Sequence, residues 1–251
     1  MEQYKRIAIL DLDSIVFSIG YAKDFIKPDS MIEEHCDSLM NSILTKSLAT
    51  HYIGFIKGKD TIKERLVFNY EYKQNRKSGT PIFWNYTKQY LINKWGAIES
   101  NGLEVDDAVN ITRLNLKDSF IVAIDKDLLM LEGRHYNWRK DEWFENTEES
   151  ANYKFLLSMC TGDSVDNIKG LPGKGVKWFE DRFSGYTPTI GSLLDEYILH
   201  FGENKGIDEF YKNYKSLKML DEYPGFIIPE PIKYNRYDEI KEDGYDNEIW
   251  K

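Results

Sequence analysis

RIAILDLDSIVF, residues 6–17, decides the fold class. Its apolar run from residue 7 to residue 10 lacks polar alternation, as expected of a strand covered on both faces, and it stops at Asp11. FIVAIDKDLLML, residues 120–131, repeats the design, with Asp125 and Asp127 at its exit. Between the two runs, the pattern predicts helices over 29–49 and 84–95 and a strand over 51–56. LEVDDAVNITRLNL, residues 103–116, has helical spacing, with Val105, Ala108, Val109 and Thr112 available for one face and Glu104 and Asp107 one turn apart. Strands alternating with helices imply an α/β fold with a mostly parallel central sheet flanked by helices. Such sheets place ligands at the carboxyl ends of their strands, where Asp11, Asp125 and Asp127 fall.

Outward from this core, residues 1–150 read as one α/β unit without internal repeats. Residues 151–220 read as a helical subdomain with glycine-rich turns, and residues 221–251 as an irregular acidic tail. The length of 251 residues suffices for a large core, and 41% hydrophobic with 30% charged residues is an ordinary globular composition. No apolar run approaches the roughly 18 residues of a membrane span, and the start MEQYKR lacks the apolar stretch of a signal peptide. A cytoplasmic location without a membrane partner is expected. Cys36 and Cys160 have no metal-type or paired spacing and read as reduced thiols. The net charge of −9 argues against a nucleic-acid partner only if distribution is ignored. Acids crowd at a few motifs and in the tail, whereas Lys57, Lys59, Lys63, Arg65, Lys73, Arg76 and Lys77 form a basic stretch.

Asp11, Glu104, Asp106, Asp107, Asp125, Asp127, Asp163 and Asp166 are too many carboxylates for acid–base catalysis, which needs one or two. They suit two hard cations such as Mg²⁺ or Mn²⁺, which clamp the attacking and leaving oxygens of a phosphoryl displacement. Zn²⁺ is disfavoured because no His/Cys constellation accompanies the acids. The four histidines, His35, His51, His135 and His200, form no triad-like arrangement. Taken singly, any of these aspartates reads as a helix cap or turn residue.

The order ILDLDSIVF, EYKQNR, EVDDAV, AIDKDLLML and GDSVDNIKGLPGKGVK resembles the flap endonuclease and 5′-3′ exonuclease family of structure-specific 5′ nucleases. That resemblance implies a PIN-like or resolvase-like core, two Mg²⁺ ions held by the eight acids above, and Asp125 and Asp163 as catalytically essential. It implies that Lys73 and Arg76 hold the scissile phosphate, with Lys77 beside them, at the base of an arch over about residues 70–96 that is shorter than the family's. Phe17 matches a base-stacking aromatic, although core packing explains it as well. Residues 167–177 resemble the family's helix-turn-helix element for duplex DNA. There Gly170, Gly173 and Gly175 would let backbone approach phosphates, Lys169, Lys174 and Lys177 would add phosphate contacts, and carbonyls of Asn167, Ile168 and Leu171 would bind K⁺. The implied substrates are DNA with a 5′ flap, nick or end, or an RNA–DNA hybrid, in a phage or bacterial setting, with replication-fork proteins as possible partners.

Besides the shorter arch, one more departure and two rivals stand beside this reading. Where the family carries a further metal-site aspartate before the YK motif, this chain has Gly58, and Asp60 is the nearby acid that could substitute. DLDSI and GDSVDN also resemble haloacid-dehalogenase-like phosphatases, in which Asp11 would be a nucleophile and Asp13 a general acid. A catalytically inactive nucleic-acid-binding relative is the other alternative.

Overall fold

The computed structural model describes residues 5–20, 28–76 and 79–235. In chain order these form β1 (Ile7–Asp11), α1 (Asp13–Gly20), α2 (Pro28–Lys46), β2 (His51–Lys57), α3 (Lys63–Phe68), α4 (Trp84–Trp95), β3 (Ile98–Ser100), α5 (Val105–Asn115) and β4 (Ser119–Val122). After a 3₁₀ turn, Asp127–Met130, come β5 (Gly133–Asn137), β6 (Glu142–Asn146), α6 (Glu148–Thr161), β7 (Gly162–Asp163) and β8 (Ile168–Lys169). The chain continues through α7 (Val176–Arg182), α8 (Ile190–Phe201), α9 (Glu203–Leu217) and β9 (Ile232–Lys233).

The main sheet runs β3-β2-β1-β4-β5-β6, with β9 against β2. β1 is central and parallel to both β2 and β4, so its side chains are buried on both faces. Ala8 and Leu10 pack with Ile32, Met40 and Leu91 on one side. Ile9 packs with Phe55, Val105, Ala108 and Val109 on the other. This two-faced burial is why the strand reads as an unbroken apolar run. The exits of β1, β2 and β4 lie together at one sheet edge, and the cleft described below opens there.

A separate apolar cluster joins α6, α7, α8 and α9 through Phe155, Met159, Phe179, Leu193, Tyr197 and Phe210, and Tyr72 belongs to it. The glycine-rich segment between α6 and α7 is more than the turn of a helix-turn-helix. It opens with the β7–β8 hairpin, in which Asp163 faces Ile168. Gly170 is needed there because a Cβ would lie 2.1 Å from the Cys160 carbonyl oxygen and 2.4 Å from the Gly162 nitrogen. Close packing of chain on chain thus requires a glycine at this position. Gly173 has φ 71° and open space around its missing side chain.

Two expected boundaries shift. The second part of the expected arch, residues 84–95, is a helix whose Leu91 and Trp95 are buried in the core beside the sheet. The tail is not wholly irregular, because β9 pairs with His51 and Tyr52, and Ile232 fills the space over Gly96. Asp238 to Glu248 and Lys77 lie outside the described residues. Among the described residues, no helix is long and apolar enough to cross a membrane.

Candidate metal centre and phosphate-binding cleft

The cleft at the sheet edge holds about 440 Å³ and is lined by Asp11, Asp13, Glu104, Asp106, Asp125 and Asp127, together with Lys57, Lys73, Arg76 and Lys126. Each acid is delivered by a sheet or helix end. Asp11 ends β1, Asp125 follows β4, Asp127 opens the 3₁₀ turn, and Glu104 and Asp106 flank the start of α5. One carboxylate oxygen from each of Asp106, Asp125 and Asp127 lies within 4.8 Å of the others. Around an octahedral Mg²⁺, with ligand distances near 2.0–2.1 Å, neighbouring and opposed oxygens stand about 3 to 4 Å apart, so small adjustments close the set on one cation. The donors are all hard oxygens, which fits Mg²⁺ or Mn²⁺ chemistry.

Like charges crowded in a partly dry cleft favour protonation. Burial, then Asp13 and Asp125, push the Asp11 carboxyl up to about 8, against hydrogen bonds that favour its anion. Burial and Asp125 raise Asp127 to about 7. Burial, Asp125 and Asp11 raise Asp106 well above the ordinary range. The folded state therefore binds protons where the unfolded chain has released them, so in the absence of cations these groups cost stability as pH rises from about 4 through about 8. Cations displace those protons. Metal affinity is expected to tighten between pH 6 and 8.5 with net proton release, measured by calorimetry in two buffers of different protonation enthalpy. Affinity independent of pH would contradict this coupling.

Asp107 does not join the cleft. Successive helical side chains point about 100° apart, so when Asp106 faces the cleft its neighbour turns inward. Asp107 is buried and takes two bonds from Arg65, at 2.6 and 2.9 Å, and one from the Leu220 N–H at 2.9 Å. Arg65 also reaches Glu104 at 3.0 Å, so Glu104 and Asp107 do converge, but on a guanidinium.

Asp163 and Asp166 meet the cleft through cations that line it. Burial favours the neutral form of Asp163, but Lys126 at 2.7 Å and the Val165 and Asp166 N–H groups hold it below its ordinary value. Asp166 bonds Arg76 and receives the Tyr72 hydroxyl at 3.1 Å, and Lys73 stands 3.4 Å away. Lys73 also bonds Glu104. The same Tyr72 hydroxyl lies 2.7 Å from Glu104, and burial followed by Glu104 keeps that phenol protonated.

The YKQNR turn is locked to the GDSVDN turn by one backbone bond and two side-chain amides that donate to backbone carbonyls. Lys73 N–H donates to the Asp166 carbonyl at 2.9 Å, Asn75 Nδ2 to Ser164 O at 2.6 Å, and Asn167 Nδ2 to Glu71 O at 2.8 Å. Lys73 itself adopts φ 58°, a conformation uncommon for a lysine that these bonds hold in place.

Phe17 lines the cleft, 42% exposed, with its ring 4.9 Å from Trp84 in an edge-on arrangement. Lys169 and Lys177 are exposed, and the Lys174 ammonium covers the Trp178 ring at 4.6 Å. Gly175 precedes α7 with open space around it. Of the carbonyls expected near a K⁺ ion, that of Leu171 already accepts the Lys174 N–H at 3.1 Å. Asn167 has φ 58°, and Ile168 pairs within the hairpin. In the sequence Arg65 is one residue of a basic stretch and Tyr72 one of the EYKQNR motif, with no role attached to either, and Asp13 has a role only in the phosphatase resemblance. Arg65 gave no local signal, because its partner is 42 residues distant.

No family model matches the chain. A 5′-3′ exonuclease of Mycoplasmopsis pulmonis is 27% identical over 208 residues, 70% of this chain and 69% of that protein. Among solved structures, T5 5′-exonuclease with bound zinc ions superposes with a TM-score of 0.63 at 18% identity, covering 85% of this chain and 88% of that one. The bacteriophage T5 flap endonuclease in a complex with DNA and metal ions gives 0.63 at 17%, covering 86% and 89%. The catalytic core of Rad2 with DNA substrate gives 0.51 at 17%, covering 86% and 75%. The chain thus has the fold of the T5 and Rad2 proteins, and its sequence is similar to that of a 5′-3′ exonuclease along most of its length.

Proposed function

We propose that the protein is a divalent-metal-dependent, structure-specific 5′ nuclease that hydrolyses phosphodiester bonds near the 5′ ends of DNA or RNA–DNA hybrids. The observation that carries this reading is the juxtaposition, at one cleft, of the Asp106–Asp125–Asp127 oxygen cluster with Lys73 and Arg76. Two Mg²⁺ or Mn²⁺ ions bound by these acids with Asp11 and Glu104 would neutralise charge on the phosphate and acidify the attacking water. Lys73 and Arg76 line the same cleft, held by Glu104 and Asp166, where a guanidinium can grip phosphate in two-pronged fashion and an ammonium acts as a point charge. Asp163 and Asp166 hold the cations that line the cleft. Lys169, Lys174 and Lys177 would add sequence-independent duplex contacts, a K⁺ ion near Asn167 would steady that turn, and replication-fork proteins are fitting partners in a cytoplasmic setting.

The test is incubation with 5′-labelled flap, nicked and blunt duplexes, with Mg²⁺ or with chelator, beside a generic phosphatase substrate. Short 5′ products that require Mg²⁺ are expected. Lys73→Ala should lower the single-turnover rate on the order of 100-fold while changing duplex Kd by no more than about threefold, since its interaction grows with charge in the transition state. Equal losses in both would reduce Lys73 to general electrostatics. Turnover of the phosphatase substrate alone would favour the Asp11-nucleophile reading, and flap binding without cutting would favour an inactive binder.

A further inference from the structure

We propose that Asp13 is a ligand of the metal centre, the carboxylate that serves the β2 side of the cleft. The inference rests on the metal-dependent reading above. Asp13 opens α1, lines the cleft and is tied to Asp11, whose Oδ1 receives the Asp13 backbone N–H at 3.0 Å. Its own Oδ1 accepts the Lys57 N–H at 2.8 Å, which fixes the side chain over the exit of β2. Among the described residues, no hydrogen bond or ion pair engages its second oxygen.

Among the described residues that line the cleft, the β2 side has no other acid to offer. The residues that line the cleft there are Lys57, Thr61 and Ile62. Position 58 has no room for a side chain, because a Cβ would stand 2.5 Å from Asn101 Oδ1 and 2.8 Å from the Asn101 nitrogen. Asp60, the substitute expected from sequence, is 59% exposed, grips Lys63 at 2.8 Å and does not line the cleft. Asp60 has φ 58°, so its direction is set by the turn as well as by the ion pair. A cation held by Asp11 therefore finds its next oxygen on this side at Asp13.

A purely local role, holding the Lys57 N–H, is the competing account, and Asp13→Asn separates the two. The amide keeps an acceptor for Lys57 but removes the anionic oxygen. Mn²⁺ is titrated into the full chain, wild type and Asp13→Asn, with bound ion counted by electron paramagnetic resonance and melting followed in chelator. We expect at least one Mn²⁺ to bind about tenfold or more weakly in Asp13→Asn, with melting in chelator unchanged or higher. Identical Mn²⁺ stoichiometry and affinities in the two proteins would overturn the role of Asp13 and leave the nuclease reading intact. A wild-type protein that binds no Mn²⁺ would overturn both.

Discussion

Asp125→Asn is expected to lower the rate of 5′ cleavage at saturating Mg²⁺ by about 1,000-fold or more, equivalent to roughly 4 kcal/mol of transition-state stabilisation. Asp125 is the hub of the acidic cluster. One of its oxygens lies within 4.8 Å of oxygens of Asp106 and Asp127, and its charge also raises Asp11. The substitution spares local structure, because the Asn side-chain oxygen can still accept the Asp127 N–H, now 2.9 Å from Asp125 Oδ1. Removing one negative charge also relieves repulsion, so the variant should melt at a higher temperature than wild type in chelator at pH 8. At pH 4 the advantage should shrink, because Asp11 and Asp127 are then protonated in both proteins. Rates and melting curves at both pH values check the pair of effects. Activity within tenfold of wild type would remove Asp125 from the metal centre, and a lower melting temperature at pH 8 would make it a structural residue.

The parts legible in the sequence are those where one local rule governs. β1 and β4 announce themselves because strands buried on both faces lose their polar alternation. The helix expected over 84–95 has those ends in the structure, and Gly96 at φ 63° supplies the left-handed residue that stops it. The β5–β6 hairpin has no such local signal. Its sequence, GRHYN and EWFEN, mixes aromatics with charges, its outer strand is largely exposed, and it carries no Asn-Gly or Asp-Gly turn. The metal cluster shows the same division. Asp125 and Asp127 follow from a strand exit, but consecutive Asp106 and Asp107 cannot be told apart by spacing. Only the position of Arg65, contributed from another helix, decides which one turns inward.

That choice makes Arg65→Ala the most damaging substitution expected outside the cleft. Arg65 is 6% exposed and binds three acceptors at once. Two are carboxylates at the start of α5, Asp107 and Glu104, and the third is the Ser216 carbonyl near the end of α9, 3.0 Å from Nε. Truncation leaves the Asp107 charge buried with only the Leu220 N–H beside it, and a broken buried pair costs about 3–5 kcal/mol. For a chain of this size, that corresponds to a melting temperature lower by about 10 °C. Adding Asp107→Asn should recover part of the loss by neutralising the stranded charge, and Arg65→Lys should fall between, since an ammonium cannot bond both Asp107 oxygens and Ser216 in the same plane. Arg65 also orients Glu104 at the edge of the metal cluster, so the cleavage rate of Arg65→Ala should fall even well below its melting temperature, accompanied by weaker Mn²⁺ binding. A melting shift under about 2 °C would show that the α3–α5–α9 junction does not depend on this ion pair. A full melting shift with unchanged Mn²⁺ affinity would confine Arg65 to stability and detach it from the metal centre.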